Sequence, residues 1–174
     1  MAPSRWRLSE GGRRGGVLLG GYLARYRPGV VVCSEEPKAV ETARLAAGRL
    51  GAGHLTFPGL HEHDRTGAPF LSAEGFDQAA RTFFSNPGKL VWGDETAEQA
   101  LERFDGAVRA VLDSRGEEVV AVVAHGTVIS LFIAQYNDVE AYALWRKLGL
   151  PSFSILSVPG FELRGATHKL KPDA

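Results

Sequence analysis

Val119-Val-Ala-Val-Val-Ala124, followed at once by His125-Gly126-Thr127, decides how this chain folds. Six small or β-branched apolar residues in a row predict a strand buried on both faces, the kind found in parallel sheets. The chain turns at Gly126 and resumes an apolar run, Val128-Ile-Ser-Leu-Phe-Ile-Ala134, with the character of a helix. His125 therefore falls at the carboxyl end of a strand and beside a helix N-terminus, where open α/β sheets bind their ligands.

Outward from this point, apolar runs alternate with amphipathic segments. Ser9 is placed to cap a helix whose apolar face is Leu19, Tyr22, Leu23 and Tyr26, ended by Pro28-Gly29. Its glycines each cost about 0.5–1 kcal/mol against alanine, so that helix depends on tertiary packing. Val30-Val-Val-Cys33 reads as a short strand. Pro37 opens a second helix with Val40, Ala43, Ala47 and Leu50 on one face, and Gly51 stops it. His54-Leu-Thr-Phe57 reads as another strand, and residues 58–70 as a polar, solvated loop rich in histidine. Residues 73–84 read as a helix. Thr96-Ala-Glu-Gln99 has the form of a capping box opening the next, with Leu101, Phe104, Val108, Val111 and Leu112 inward. After the helix that follows His125, Asp138 is placed to cap another through Leu148. Residues 153–158 and 161–164 read as a terminal hairpin, and the polar tail from Thr167 as frayed. The order predicts an α/β fold: one domain over residues 1–174, three layers, a mostly parallel sheet covered by helices on both faces.

Composition narrows the function. Lys plus Arg equals Asp plus Glu at 20 each, so the formal net charge is zero, which argues against general nucleic-acid binding. The single cysteine, Cys33, excludes an internal disulfide framework and suits a reducing compartment. No apolar run reaches the roughly 20 residues of a membrane helix, and the first seven residues lack the apolar centre of a signal peptide. A cytoplasmic protein without membrane contact is expected.

Three groups carry candidate chemistry. His125 is one. The turn from Ser34 to Lys38 pairs a helix N-terminus with a cation, a combination that binds anions, although Glu35 and Glu36 would repel a phosphate unless they point away. Glu62, flanked by His61, His63, Asp64 and Arg65, is a candidate general acid.

Ser34-x-x-x-Lys38-Ala39-x-Glu41-Thr42-Ala43 resembles the Ser-x-x-x-Arg-Ala-x-x-Thr-Ala motif of the histidine phosphatase (phosphoglycerate mutase-like) superfamily. Leu60-His61-Glu62 resembles that family's Leu-x-Glu general-acid motif, Val122-Val-Ala-His125-Gly126 its second-histidine motif, and Leu8-Ser9-x-x-Gly12-Arg13-Arg14 its Leu-Thr-x-x-Gly helix start. The resemblance implies a phosphoglycerate mutase-like fold and a phosphomonoesterase mechanism. A histidine in an Arg-His-Gly motif attacks phosphorus. Arginines and a second histidine hold the phosphoryl oxygens, a carboxylic acid protonates the leaving oxygen, and water frees the phosphate. On this chain, His125 becomes the clamping histidine, Glu62 the proton donor, and Lys38, Ser34 and Gly126 the phosphate-binding set. The implied partner is a phosphorylated small molecule or phosphoprotein, with no metal and no cofactor.

Two departures accompany the resemblance. Arg-His-Gly and the first strand of the family are missing: residues 1–7 hold neither, and none of His54, His61, His63 or His168 follows a strand in that pattern. Lys38 keeps the charge of an arginine without its two-pronged grip. The chain as given is therefore expected to be inactive, as a shortened form of a complete enzyme or as a natural relative that has lost phosphoryl transfer. Shortening is favoured, because loss of a central strand leaves unpaired backbone groups and a gap in the core.

Two further readings compete. His61-x-His63-Asp64, with His125, would supply three nitrogen ligands for zinc in a metallohydrolase. Alternatively the chain binds phosphorylated ligands or protein partners without turnover, with Tyr142 and Trp145 in such a contact.

Overall fold

The computed structural model describes residues 3–116 and 118–171. Strand β1 (Val30–Cys33) lies between β2 (Gly53–Thr56) and β3 (Val120–Val123), all parallel, with Cys33 opposite both Thr56 and Val123. Helices cover both faces. Val31 and Cys33 pack against α2 (Pro37–Leu50) through Ala43 and Ala47. Val30 and Val32 point the other way, to α4 (Ala97–Arg115) and α5 (Gly126–Tyr136) through Phe104, Val111, Val128 and Phe132. The period of two along β1 thus divides one strand between two cores.

The doubly buried strand is β1, not the one expected. Every residue of β3 is half-buried, and Val119 is exposed. The reason is topological: β3 pairs only with β1 among the described residues, so its outer edge has no strand beside it. Such an edge leaves backbone donors and acceptors outside the ladder.

α1 (Glu10–Leu23) is capped by Ser9, whose side chain accepts from the Gly12 N–H, and a 3-10 turn carries the chain on to Tyr26. Gly15, Gly16 and Gly20 have a packing reason. A Cβ on Gly20 would stand 2.6 Å from the Ala46 carbonyl oxygen of α2, so only a bare backbone lets the two helices approach this closely.

α3 (Ala73–Ser85) starts at Ser72, and the Thr96–Gln99 capping box opens α4 as expected. α6 (Ala141–Lys147) is capped by Glu140, not Asp138: the Glu140 carboxylate accepts from the N–H groups of Tyr142 and Ala143. A longer side chain two residues on reaches the free N–H groups where the shorter one does not.

The hairpin forms a separate antiparallel pair, β4 (Phe153–Leu156) with β5 (Leu163–Thr167); the first strand starts where the sequence placed it and the second starts two residues later. Phe161 lies before β5, buried against Phe132 and Tyr136. Phe153 packs near Leu19 and Ala46 and Leu156 on the Phe132 side, so the hairpin contacts both helical layers. The tail is held rather than frayed through residue 171. Leu170 is buried with Leu19, the His168 carbonyl accepts from the Gly149 N–H at 2.7 Å, and the Lys171 carbonyl accepts from Tyr22 Oη at 3.0 Å. Residues 172–174, part of that expectation, lie outside the described residues. Among the described residues no helix is long and apolar enough to cross a membrane.

Candidate functional site

The parallel pairing of β1 with β3 brings the residues that follow them together. Ser34 follows β1 and donates its N–H to the Val123 carbonyl at 3.0 Å. His125 follows β3 as the N-cap residue of α5, with extended backbone. The two side chains meet: Ser34 Oγ is 2.9 Å from His125 Nε2, both buried. Which of them donates depends on the imidazole tautomer.

Glu36 does not point away. It is the N-cap residue of α2, yet its side chain caps no helix N–H and turns into the site. One carboxylate oxygen pairs with Lys38 Nζ at 2.5 Å. The other accepts the Glu62 N–H at 2.9 Å and lies 3.5 Å from His125 Nε2. Glu35 is exposed.

Glu62 closes the arrangement from the loop. Oε1 accepts the His63 N–H at 2.8 Å and Oε2 the Thr127 N–H at 3.3 Å. The Glu62 side chain thus reaches the N-terminus of α5. A cavity of about 200 Å³ opens here, its lining including Ser4, Glu36, Lys38, His61, Glu62 and Arg65.

The loop is not the solvated stretch expected. Arg103 of α4 holds it from beneath, donating to the carbonyl oxygens of Gly59 at 2.7 Å, His61 at 2.9 Å and Glu62 at 3.3 Å. The same guanidinium pairs with Glu95 at 2.5 Å, and Glu95 accepts the Asp64 N–H at 3.0 Å. His63 is buried, its Nε2 3.1 Å from the Glu95 carbonyl oxygen and its ring 4.1 Å from that of Phe83. Gly93, at φ 102°, passes so close that a Cβ would fall 2.3 Å from the Asp64 carbonyl oxygen. Nothing in the local sequence marks Arg103, one arginine on an amphipathic helix. Its role depends on a loop about 40 residues upstream (41 separate it from Glu62).

These environments set the charges. Burial pushes the His125 imidazole below its ordinary pKa, against the opposing fields of Glu62 and Glu36, so the ring is neutral at neutral pH. Burial acts likewise on His63, reinforced by Arg65. For Glu36, burial raises the pKa, but His125, the Lys38 hydrogen bond and the Glu62 N–H more than offset it, and the carboxyl ends below its usual range. With His125 neutral, Lys38 and the Glu62 N–H are the partners that hold Glu36 ionised. Burial pushes the Cys33 thiol up to about 11.

The geometry brings together the expected residues Ser34, Lys38, Glu62, His125 and Gly126. It does not assemble the alternative zinc set. His63 is committed to the Glu95 carbonyl and Phe83, and His125 to Ser34. Among the described residues no group of three or more His, Cys, Asp or Glu side chains is placed to hold a metal ion. Tyr142 and Trp145 stack at 5.9 Å in a half-buried aromatic group with Phe76 and Phe84. Trp145 also borders the site, because a Cβ on Gly126 would lie 3.5 Å from its Cδ1.

A parallel three-stranded sheet between helical layers, with a histidine and a lysine at its carboxyl edge and a carboxylate loop above, defines an α/β protein whose candidate site lies at the ends of β1 and β3. The chain belongs to the histidine phosphatase superfamily (branch 1), whose family description matches residues 4–167. Solved structures share the fold. Bacillus stearothermophilus YhfR aligns at 22% identity over 92% of this chain and 83% of its own, with a TM-score of 0.73. The native mycobacterial glucosyl-3-phosphoglycerate phosphatase aligns at 22% identity over 85% and 76%, with a TM-score of 0.70. An Entamoeba histolytica phosphoserine phosphatase variant in complex with phosphoserine aligns at 14% identity over 92% and 83%, with a TM-score of 0.71. No curated protein matches the chain.

Proposed function

We propose that this chain carries the phosphoryl-binding and proton-donating half of a phosphomonoesterase of the histidine phosphatase type. The observation that supports it most is the convergence of Lys38, Ser34 and His125 with Glu62 at the carboxyl ends of β1 and β3. Lys38, the Gly126 end of α5 and His125 take the phosphoryl oxygens, with Ser34 orienting the imidazole. A histidine nitrogen bonds to phosphorus as the bond to the leaving oxygen breaks, and Glu62 delivers its proton to that oxygen. Water then breaks the phosphorus–nitrogen bond and restores the histidine.

The attacking histidine is not among the residues that converge. None of the five histidines follows a strand in an Arg-His-Gly pattern. The open outer edge of β3, beside His125, supports the reading that a further strand belongs there and carries the nucleophile. In this proposal the chain is one domain, works in the cytoplasm, needs no metal or cofactor, and acts on a phosphorylated small molecule. The small phosphorylated molecules after which the similar mycobacterial and Entamoeba phosphatases are named favour that class over a phosphoprotein.

The test is hydrolysis of p-nitrophenyl phosphate. The 174-residue chain is expected to give no turnover above the blank. A chain extended at its N-terminus by a strand ending in Arg-His-Gly is expected to turn over, and His125→Ala in that chain to lose most of the activity. Robust hydrolysis by the 174-residue chain overturns the proposal. An extended chain that binds inorganic phosphate but stays inactive favours a non-catalytic phosphate-binding relative instead.

A further inference from the structure

Glu36 is the residue that the phosphoryl site does not use, and it sits at its centre. Its carboxylate takes a cation at 2.5 Å on one oxygen and a backbone N–H at 2.9 Å on the other, with an imidazole nitrogen at 3.5 Å. An ammonium, an N–H and an imidazole are the groups a tetrahedral oxyanion would take. We propose that Glu36 is a built-in occupant of the phosphoryl site: a carboxylate of this chain that holds the anion-binding groups and must be displaced before a phosphoryl group enters. The proposal rests on the phosphoryl-site reading above.

Three observations carry it. The carboxylate is buried, as is His125 beside it, and does not lie on the surface, unlike that of Glu35. It leaves the usual task of an N-cap side chain undone, and its second oxygen instead accepts the N–H of Glu62, 26 positions along the chain. It also adds a second acidic group to a site that already contains Glu62, with Lys38 the cation paired to it, which disfavours a dianionic ligand at close range. Glu36 thereby sets affinity and selectivity. Inorganic phosphate is held weakly, and a ligand gains only when its remaining contacts compensate for displacing the carboxylate.

The experiment is isothermal calorimetry with inorganic phosphate at pH 7 on the natural chain, Glu36→Gln and Glu36→Ala, each also carrying Lys38→Ala. Glu36→Gln keeps the shape and still accepts the Glu62 N–H, and near-UV circular dichroism verifies the fold. Both Glu36 variants are expected to bind phosphate at least tenfold more tightly than the natural chain, and Lys38→Ala to abolish the gain. A merely structural role for Glu36 would weaken binding on substitution, not strengthen it. Equal affinity in all three, each weakened by Lys38→Ala, overturns the occupant role and leaves the phosphoryl site standing. No binding by any chain, or binding indifferent to Lys38, overturns both. Even without a folded Glu36 variant, micromolar phosphate binding by the natural chain that is lost on Lys38→Ala overturns the proposal.

Discussion

Ser34 Oγ and His125 Nε2 lie 2.9 Å apart although 91 positions separate them in the chain, and this buried pair ties the tips of β1 and β3 together. Ser34→Ala leaves a polar ring nitrogen buried without that partner. The expected cost is about 1–3 kcal/mol of folding stability, read from urea denaturation. A change below about 0.3 kcal/mol would mean that the imidazole has another partner.

Arg103 is expected to matter more than its position on a surface helix suggests. Arg103→Ala removes donors from three loop carbonyls and leaves the Glu95 carboxylate, mostly buried, without its cation. A loss of about 2–4 kcal/mol is expected, with faster amide exchange across residues 59–64. Arg103→Lys should recover less than half, because one ammonium cannot reach acceptors spread along the loop.

Acid should destabilise the fold early. His63 and His125 both have pKa values lowered by burial, so the unfolded chain takes up their protons first as the pH falls. Their contribution is fully present above the unfolded value of about 6.5 and is lost as the pH drops from there toward the folded values. Each group tilts the stability by at most about 1.4 kcal/mol per pH unit in that window. Urea midpoints measured from pH 7.5 to 5 should fall, and the double variant His63→Phe/His125→Gln should flatten the slope. A flat natural profile would contradict the burial of both rings.

Cys33, fully buried in β1 with its thiol pushed up to about 11, should resist aromatic disulfide reagents in the native state. Labelling is expected only at the rate of unfolding. Rapid stoichiometric labelling at pH 8 would show that the sheet opens locally.

Features governed by neighbouring backbone were legible in the sequence. Thr96 and Gln99 cap α4, Pro37 and Gly51 bracket α2, and Ser9 caps α1, because each satisfies hydrogen bonds within a few residues. The resemblance carried by the motifs after β1 and β3 implies Ser34, Lys38 and His125 as one neighbourhood, and the parallel pairing of those strands places Ser34 against His125. Features decided by distant partners were not legible. The apolar run before His125 read as a central strand, but burial depends on which strands pair beside it, and β3 lacks an outer neighbour. The direction of Glu36 was not legible either, because nothing local tells which way an N-cap side chain turns. Arg103 and Leu170 owe their burial to a loop and a helix far along the chain.

The claim that Lys38, Glu62 and His125 form a phosphoryl site is tested most directly by locating phosphate on the molecule. Inorganic phosphate is titrated into the natural chain and Glu36→Gln while NMR follows the His125 ring nitrogens and the Thr127 amide. These resonances are expected to shift saturably, at lower phosphate in Glu36→Gln, with His54 and His168 unmoved. Phosphate that shifts other residues and leaves His125 and Thr127 in place, in both proteins, would contradict the account.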